Sequence, residues 1–177
     1  MPTPTLETER LILRPPRIED ARPVFDSWAQ DPLVTRYLTW RPHADVGETE
    51  EYISRFTGPD PGNDHYLWVI TTKDEFRVIG MIQINLNLDQ ADFGYVVARR
   101  EWGRGLATEA LRRVIEFGFS FPQVKRVWGV CDIDNLASAR VMEKAGLALE
   151  GILPGFILHP NISPLPRDVY CYAFSRY

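Results

Sequence analysis

Cysteine is scarce in this chain of 177 residues: only Cys131 and Cys171 occur, too few and too far apart for a disulfide framework or a zinc motif. Both fall in strand-like runs, which predicts buried free thiols. Histidine is equally sparse. His43, His65 and His159 show no metal-ligand spacing, so no metal site is expected. No apolar run approaches the roughly 20 residues that cross a bilayer, and no basic-then-apolar leader opens the chain. A cytoplasmic protein is therefore expected, and Asn161-Ile162-Ser163, formally a glycosylation acceptor, is read as a loop. A basic excess is also missing. The formal net charge is -4, which does not suit nucleic acid or an anionic membrane as partner. Three chemistries lack their signatures: there is no G-x-x-x-x-G-K-[ST] string, no G-x-G-x-x-G turn and no G-x-S-x-G elbow. No internal repeat or low-complexity tract is visible.

What remains is ordinary globular material. Apolar residues make up 45% and charged residues 25%, and the length suits a single domain spanning residues 1–177. Leu11 to Arg14 alternates as a strand. Ile18 to Gln30 reads as a helix, with Pro23 predicting a kink or a later start. Short helices follow over Leu33 to Leu38 and Val46 to Phe56, then a loop over Gly58 to Asp64. Tyr66 to Thr71, Val78 to Leu88 and Asp92 to Val97 read as an antiparallel meander. A helix runs to about Phe121, a strand covers Val127 to Val130, and Asn135 caps a helix that ends at Gly146. Leu149 to Leu158 and Val169 to Phe174 are the closing strands. The three prolines between His159 and Pro166 predict a stiff, extended link. This order predicts an α+β fold with a mixed sheet.

One segment carries chemistry by itself. Arg100-Glu101-Trp102-Gly103-Arg104-Gly105-Leu106-Ala107-Thr108 lies between a strand and a helix. The first turn of a helix has backbone N–H groups without intrahelical partners, and the helix dipole adds positive potential there. Gly103 and Gly105 leave room for a phosphate to approach the backbone. Five arginines and two glutamates lie between Arg99 and Arg113, a basic island on an acidic protein. Such an island suits a small polyanion, or it is a solvated helix face.

The pattern R-x-x-G-x-G resembles the Q/R-x-x-G-x-G/A signature of the GNAT superfamily of acyl-CoA N-acyltransferases. Downstream, Asn135-Leu136-Ala137-Ser138 to Glu143-Lys144-Ala145-Gly146-Leu147, with Glu150-Gly151, resembles the family's second cofactor motif. Leu6-Glu7-Thr8-Glu9-Arg10-Leu11-Ile12-Leu13-Arg14 resembles the opening of the RimJ/RimL-like branch, as do Glu19-Asp20-Ala21, Asp31-Pro32 and Arg167-Asp168. The likeness covers nearly the whole chain in the right order.

The resemblance implies a mostly antiparallel central sheet of about seven strands flanked by helices. It implies acetyl-CoA as acyl donor, no metal, and transfer of the acetyl group to a primary amine by direct attack in a ternary complex. The amine would be a protein N-terminus or a small molecule, and a homodimer remains open. By the same resemblance the pyrophosphate rests on Gly103, Arg104, Gly105, Leu106, Ala107 and Thr108, with Arg100 packed around it. The pantetheine arm runs along Tyr95, Val96 and Val97, whose backbone also meets the thioester oxygen. Asn135 is a helix cap, a contact to the arm, or both. Lys144 reaches a phosphate or is a solvated helix end.

Asp92 is either the base for the amine, directly or through water, or a turn carboxylate. Ser138 either serves the departing sulfur or lets a helix pack closely. Many family members carry a tyrosine where this chain has Met142, which donates no proton. Trp28, Tyr37, Trp40 and the segment from His159 to Pro166 would flank the amine entrance, or the aromatics are core. A non-catalytic acyl-CoA-binding or sensing module is the alternative function.

Overall fold

The computed structural model describes residues 2–57 and 64–176. Of the loop expected from Gly58 to Asp64, all but Asp64 lies outside the described residues. Among the described residues eight strands form one sheet: β1 Leu6–Glu7, β2 Leu11–Arg14, β3 His65–Thr72, β4 Val78–Asn87, β5 Gln90–Val97, β6 Arg126–Asp132, β7 Ala148–Ile157 and β8 Arg167–Ser175. Their order is β1-β2-β3-β4-β5-β6-β8-β7. Every pairing is antiparallel except that of β5 with β6. The helices are α1 Ala21–Val24, α2 Pro32–Thr35, α3 Val46–Ser54, α4 Leu106–Gly118 and α5 Leu136–Ala145. The α+β expectation holds, with a mixed and mostly antiparallel sheet. The additional strand is β1, a two-residue edge too short to register as a period.

Both faces of β3 are covered, so it is buried from Tyr66 to Thr72 rather than at every second residue. In β3, Trp68 and Ile70 join the core under α4 and α5, with Leu111, Val114 and Met142. Leu67 and Val69 point the other way, into a core with Trp28, Ile53 and Met81 under the first three helices. Alternation along a strand thus feeds two cores at once.

The expected helix from Ile18 to Gln30 is three pieces. A 3-10 turn over Ile18–Asp20 leads into α1, and a π-helical turn follows over Phe25–Ala29. Pro23 is third in α1, within the first turn, where a missing N–H leaves no bond unmade. The second helix is shorter than expected: α2 begins at Pro32, with the Asp31 side chain accepting from the Leu33 N–H at 2.9 Å, and it ends at Thr35. α4 ends at Gly118 rather than near Phe121, and α5 ends at Ala145 with Gly146 as its cap, the glycine expected to close it.

The link after β7 departs from expectation. It turns instead of extending: the Ile162 and Ser163 N–H groups donate to the His159 carbonyl at 2.9 and 3.1 Å. Asn161 Nδ2 donates to the carbonyls of Thr35 and Trp40 at 2.7 and 2.8 Å. These bonds tie the link to the segment around α2 and decide its shape over the local stiffness of proline.

Candidate active site

The site begins where two strands part. β5 pairs with β6 only through Gln90, Ala91 and Asp92, opposite Arg126, Val127 and Trp128. Beyond that point β5 stays bonded to β4, and β6 to β8. Backbone groups of β5 that face β6 after Asp92 therefore have no ladder partner, and buried backbone groups need one. Phe93 sits at the fork. A Cβ on Gly129 would lie 2.5 Å from its ring, so Gly129 is the residue that lets the aromatic ring occupy the apex. From the fork opens a cleft of about 1230 Å³.

At one end of this cleft is the loop before α4. Gly103 and Gly105 have φ of +75° and +77°, the left-handed region that disfavours any residue with a Cβ. Gly103, Gly105, Leu106, Ala107 and Thr108 all line the cleft, and α4 begins there, so its free N–H groups are available to an anion. Asp92, Tyr95, Val96, Val97, Asn135, Ser138 and Lys144 line the same cleft. Nearly the whole expected set is thus brought together from strands and helices on both sides of the fork.

Arg100 and Arg104 are not part of the lining. Their guanidinium groups turn to the Glu101 carboxylate, Arg104 at 2.5 Å and Arg100 at 3.4 Å, and Arg77 of the β3–β4 hairpin joins them. Glu101 is 3% exposed. Its carboxylate lies beneath the loop and offsets the repulsion among the three arginines gathered on it. A second clamp sits beside it. Glu109 of α4 accepts from the Thr8 hydroxyl at 2.5 Å, from the Arg10 N–H at 2.8 Å and from Arg10 Nε at 2.7 Å. Arg10 also reaches the Arg104 carbonyl at 3.1 Å. Burial works to raise the Glu109 carboxyl, and these bonds outweigh it, so the group is held below the ordinary range. The Thr8 and Arg10 of the opening motif are therefore a strut for the loop.

Midway along the cleft, the Tyr95 hydroxyl lies 2.8 Å from Ser138 Oγ. Burial pushes the Tyr95 phenol well above its usual value, which keeps its proton in place at neutral pH. Ser138 follows the cap of α5: its N–H donates to Asn135 Oδ1 at 3.3 Å. Met142 is fully buried in the core. Tyr95, expected to contribute its backbone, thus also contributes its hydroxyl, to a partner 43 residues away that no local pattern points to. Asp92 stands at the fork itself and accepts from Asn85 Nδ2 at 2.7 Å.

Aromatic side chains also line the cleft. Trp28, Tyr37 and Trp40 do so together with Trp128, which stands opposite Asp92 at the fork, and His159. His159 was expected only as the start of a flanking link, and the link beyond it does not reach the lining. Behind it, Arg167 grips the Asp132 carboxylate at 2.5 and 3.0 Å. Burial acts to raise Asp132, but the Arg167 bonds and the Asp134 N–H bring it below the ordinary value. The cysteines are free and buried, as expected, and burial pushes the Cys131 thiol up to about 12. Among the described residues no cluster fit to hold a metal is present, and no helix is long and apolar enough to cross a membrane.

Comparison with known proteins places this architecture. The chain is 31% identical to the uncharacterized N-acetyltransferase YoaA of Bacillus subtilis (strain 168) over 176 residues, 98% of each chain. Its fold is similar to that of a GNAT-family acetyltransferase from Bacillus anthracis, with TM-score 0.82, 24% identity and coverage of 97% and 98% of the two chains. It is also similar to Mycobacterium smegmatis RimJ, solved in complex with CoA-disulfide, with TM-score 0.83, 22% identity and coverage of 98% and 88%. Residues 10–148 match the Acetyltransferase (GNAT) domain family, and the chain belongs to that family of acyl-CoA-dependent acetyltransferases.

Proposed function

We propose that this protein moves an acetyl group from acetyl-CoA to the primary amine of a protein N-terminus or a small molecule, and that the cleft opened by the parting of β5 and β6 is where it does so. The observation that carries this is the continuity of the cleft. It runs from the free N–H groups at the start of α4, past unpaired β5 backbone, to Asp92 and an aromatic wall. A diphosphate, an amide-bearing arm and an amine each meet suitable chemistry along that path.

Acetyl-CoA supplies an activated acyl group on a thiol of ordinary pKa, about 8.5. The protein must hold it, take a proton from the amine and let the sulfur leave. Gly103 to Thr108 offer backbone donors to the diphosphate, and Lys144 lies beside the same cleft. Unpaired N–H groups of β5 suit both the arm and the acyl oxygen. Asn135 spends its side-chain oxygen on the α5 cap, which leaves its amide hydrogens for the arm.

Asp92 is the base in this scheme. An α-amine has a pKa near 7.7–8.0, so roughly a tenth is already neutral at pH 7, whereas a lysine amine near 10.4 is almost wholly charged. A carboxylate acting directly or through one water serves the first far better. Ser138, held by Tyr95, donates a hydrogen bond to the departing sulfur. This pair supplies the hydroxyl that Met142 lacks.

The test is an acceptor screen that measures free CoA released with N-terminal peptides, lysine peptides and small amines, on wild type and Asp92→Asn. The expected outcome is release with one class. In Asp92→Asn, kcat should fall by about 10²–10⁴-fold with acetyl-CoA KM little changed and the acidic limb of the pH profile flattened. Acetyl-CoA binding without release for any amine would instead identify a sensing module. An unaltered pH profile would assign the proton to another group.

A further inference from the structure

Resting on the acyl-transfer reading of the cleft, one buried side chain speaks to the acceptor. His159 is 3% exposed and lines the cleft, yet neither ring nitrogen has a hydrogen-bond partner among the described residues. Buried polar atoms without partners cost free energy and are rare, so such an atom in a binding cleft calls for a ligand. The ring is also firmly placed. Its own carbonyl accepts from the Ile162 and Ser163 N–H groups, and Asn161 pins the same turn to Thr35 and Trp40. The Tyr37 ring meets it edge-on, with centroids 6.2 Å apart. Asp132 Oδ2 lies 3.8 Å from Nε2, too far for a hydrogen bond, and is committed to Arg167.

Position matters as much as chemistry. Asp132, beside His159, is four residues past Trp128 on β6, on the order of 13 Å from the fork at a rise near 3.3 Å per residue. His159 therefore stands apart from Asp92 and from an amine reacting there. The charges argue against a polycation between the two. Four carboxylates line the cleft. Glu101 is bound by Arg77 and Arg104, and Asp132 and Asp134 by Arg167. Among the described residues that leaves Asp92 as the lining carboxylate without an arginine. The walls there are Trp28, Tyr37, Trp40 and Trp128, which suit a flat apolar body.

We propose that His159 selects the acceptor: its imidazole takes a hydrogen bond from a donor group remote from the reacting nitrogen, on a monoamine with an apolar, planar body. Tyramine and phenethylamine form the matched probe pair, since they differ only in a hydroxyl, and spermidine is the polycation. Acetyl transfer to each is measured for wild type and His159→Leu. In parallel, the His159 imidazole nitrogens are followed by NMR in the wild-type protein as each amine is added in the presence of CoA.

Wild type is expected to prefer tyramine over phenethylamine by about tenfold or more in kcat/KM, with the ratio collapsing toward one in His159→Leu. Acetyl-CoA affinity should not change. The His159 signals should move with tyramine and not with phenethylamine. Unmoved signals at saturating tyramine, an unchanged ratio in the variant, or a preference for spermidine overturns the proposal. If His159→Leu does not fold, the wild-type NMR titration decides alone. If the imidazole responds while no amine is acetylated, the acceptor contact stands and the acyl-transfer reading falls.

Discussion

Two parts of the cleft are built on opposite principles. The loop before α4 is braced by charge: Glu101 holds three arginines, and Glu109 ties the loop to Thr8 and Arg10. The other part has aromatic lining residues and an imidazole whose nitrogens have no hydrogen-bond partner among the described residues. The difference teaches where each part gets its specificity. A diphosphate is the same in every acyl-CoA, so its cradle can be rigid and built in advance, with donors fixed before the ligand arrives. On the proposed reading the acceptor meets a wall drawn from separate segments: the turn after α2, β6 and the link after β7.

The largest effect is expected from breaking the cradle. Gly105→Val places a branched residue at φ +77°, where strain is about 1–2 kcal/mol and the side chain intrudes on the anion's approach. A Cβ there meets only Arg10 Nη2, at 3.6 Å, so the fold should survive. Calorimetry should find no acetyl-CoA binding while thermal melting still shows a cooperative transition. Affinity within about threefold of wild type would remove the cradle from this loop.

A smaller effect sharpens the middle of the comparison. Ser138→Ala and Tyr95→Phe are each expected to lower kcat by about tenfold, the value of one hydrogen bond to a developing charge, near 1–2 kcal/mol. Because the two hydroxyls lie 2.8 Å apart, the double variant should be little worse than either single one. Fully additive losses would mean that Tyr95 and Ser138 act separately. A loss of acetyl-CoA affinity at constant kcat would make Ser138 a binding contact alone.

How much of this was legible in the sequence follows the same division. The cradle is contiguous, so Gly103, Gly105 and the start of α4 are visible as one string. The meander of β3, β4 and β5 was readable because short turns join strands that pair in succession. The brace on Glu101 was hidden, since Arg77 is 24 residues away and a charge on a basic loop looks solvated. Tyr95 and Ser138 meet only because β5 and β6 part. His159 and Asp132 meet only because the link after β7 turns, against the stiffness its prolines suggest. That turn is decided by bonds from Asn161 to carbonyls more than 120 residues earlier. Contacts of that separation leave no local period.

The division of labour between the two parts has one direct measurement: assigned amide and indole NMR signals followed as CoA, without any acceptor, is added to the wild-type protein. The amides of Gly103, Gly105 and Ser138 should shift strongly, while the Trp40 indole stays where it is. A shifted Trp40 indole with unmoved glycine amides would put the cofactor at the aromatic part and contradict the assignment of both.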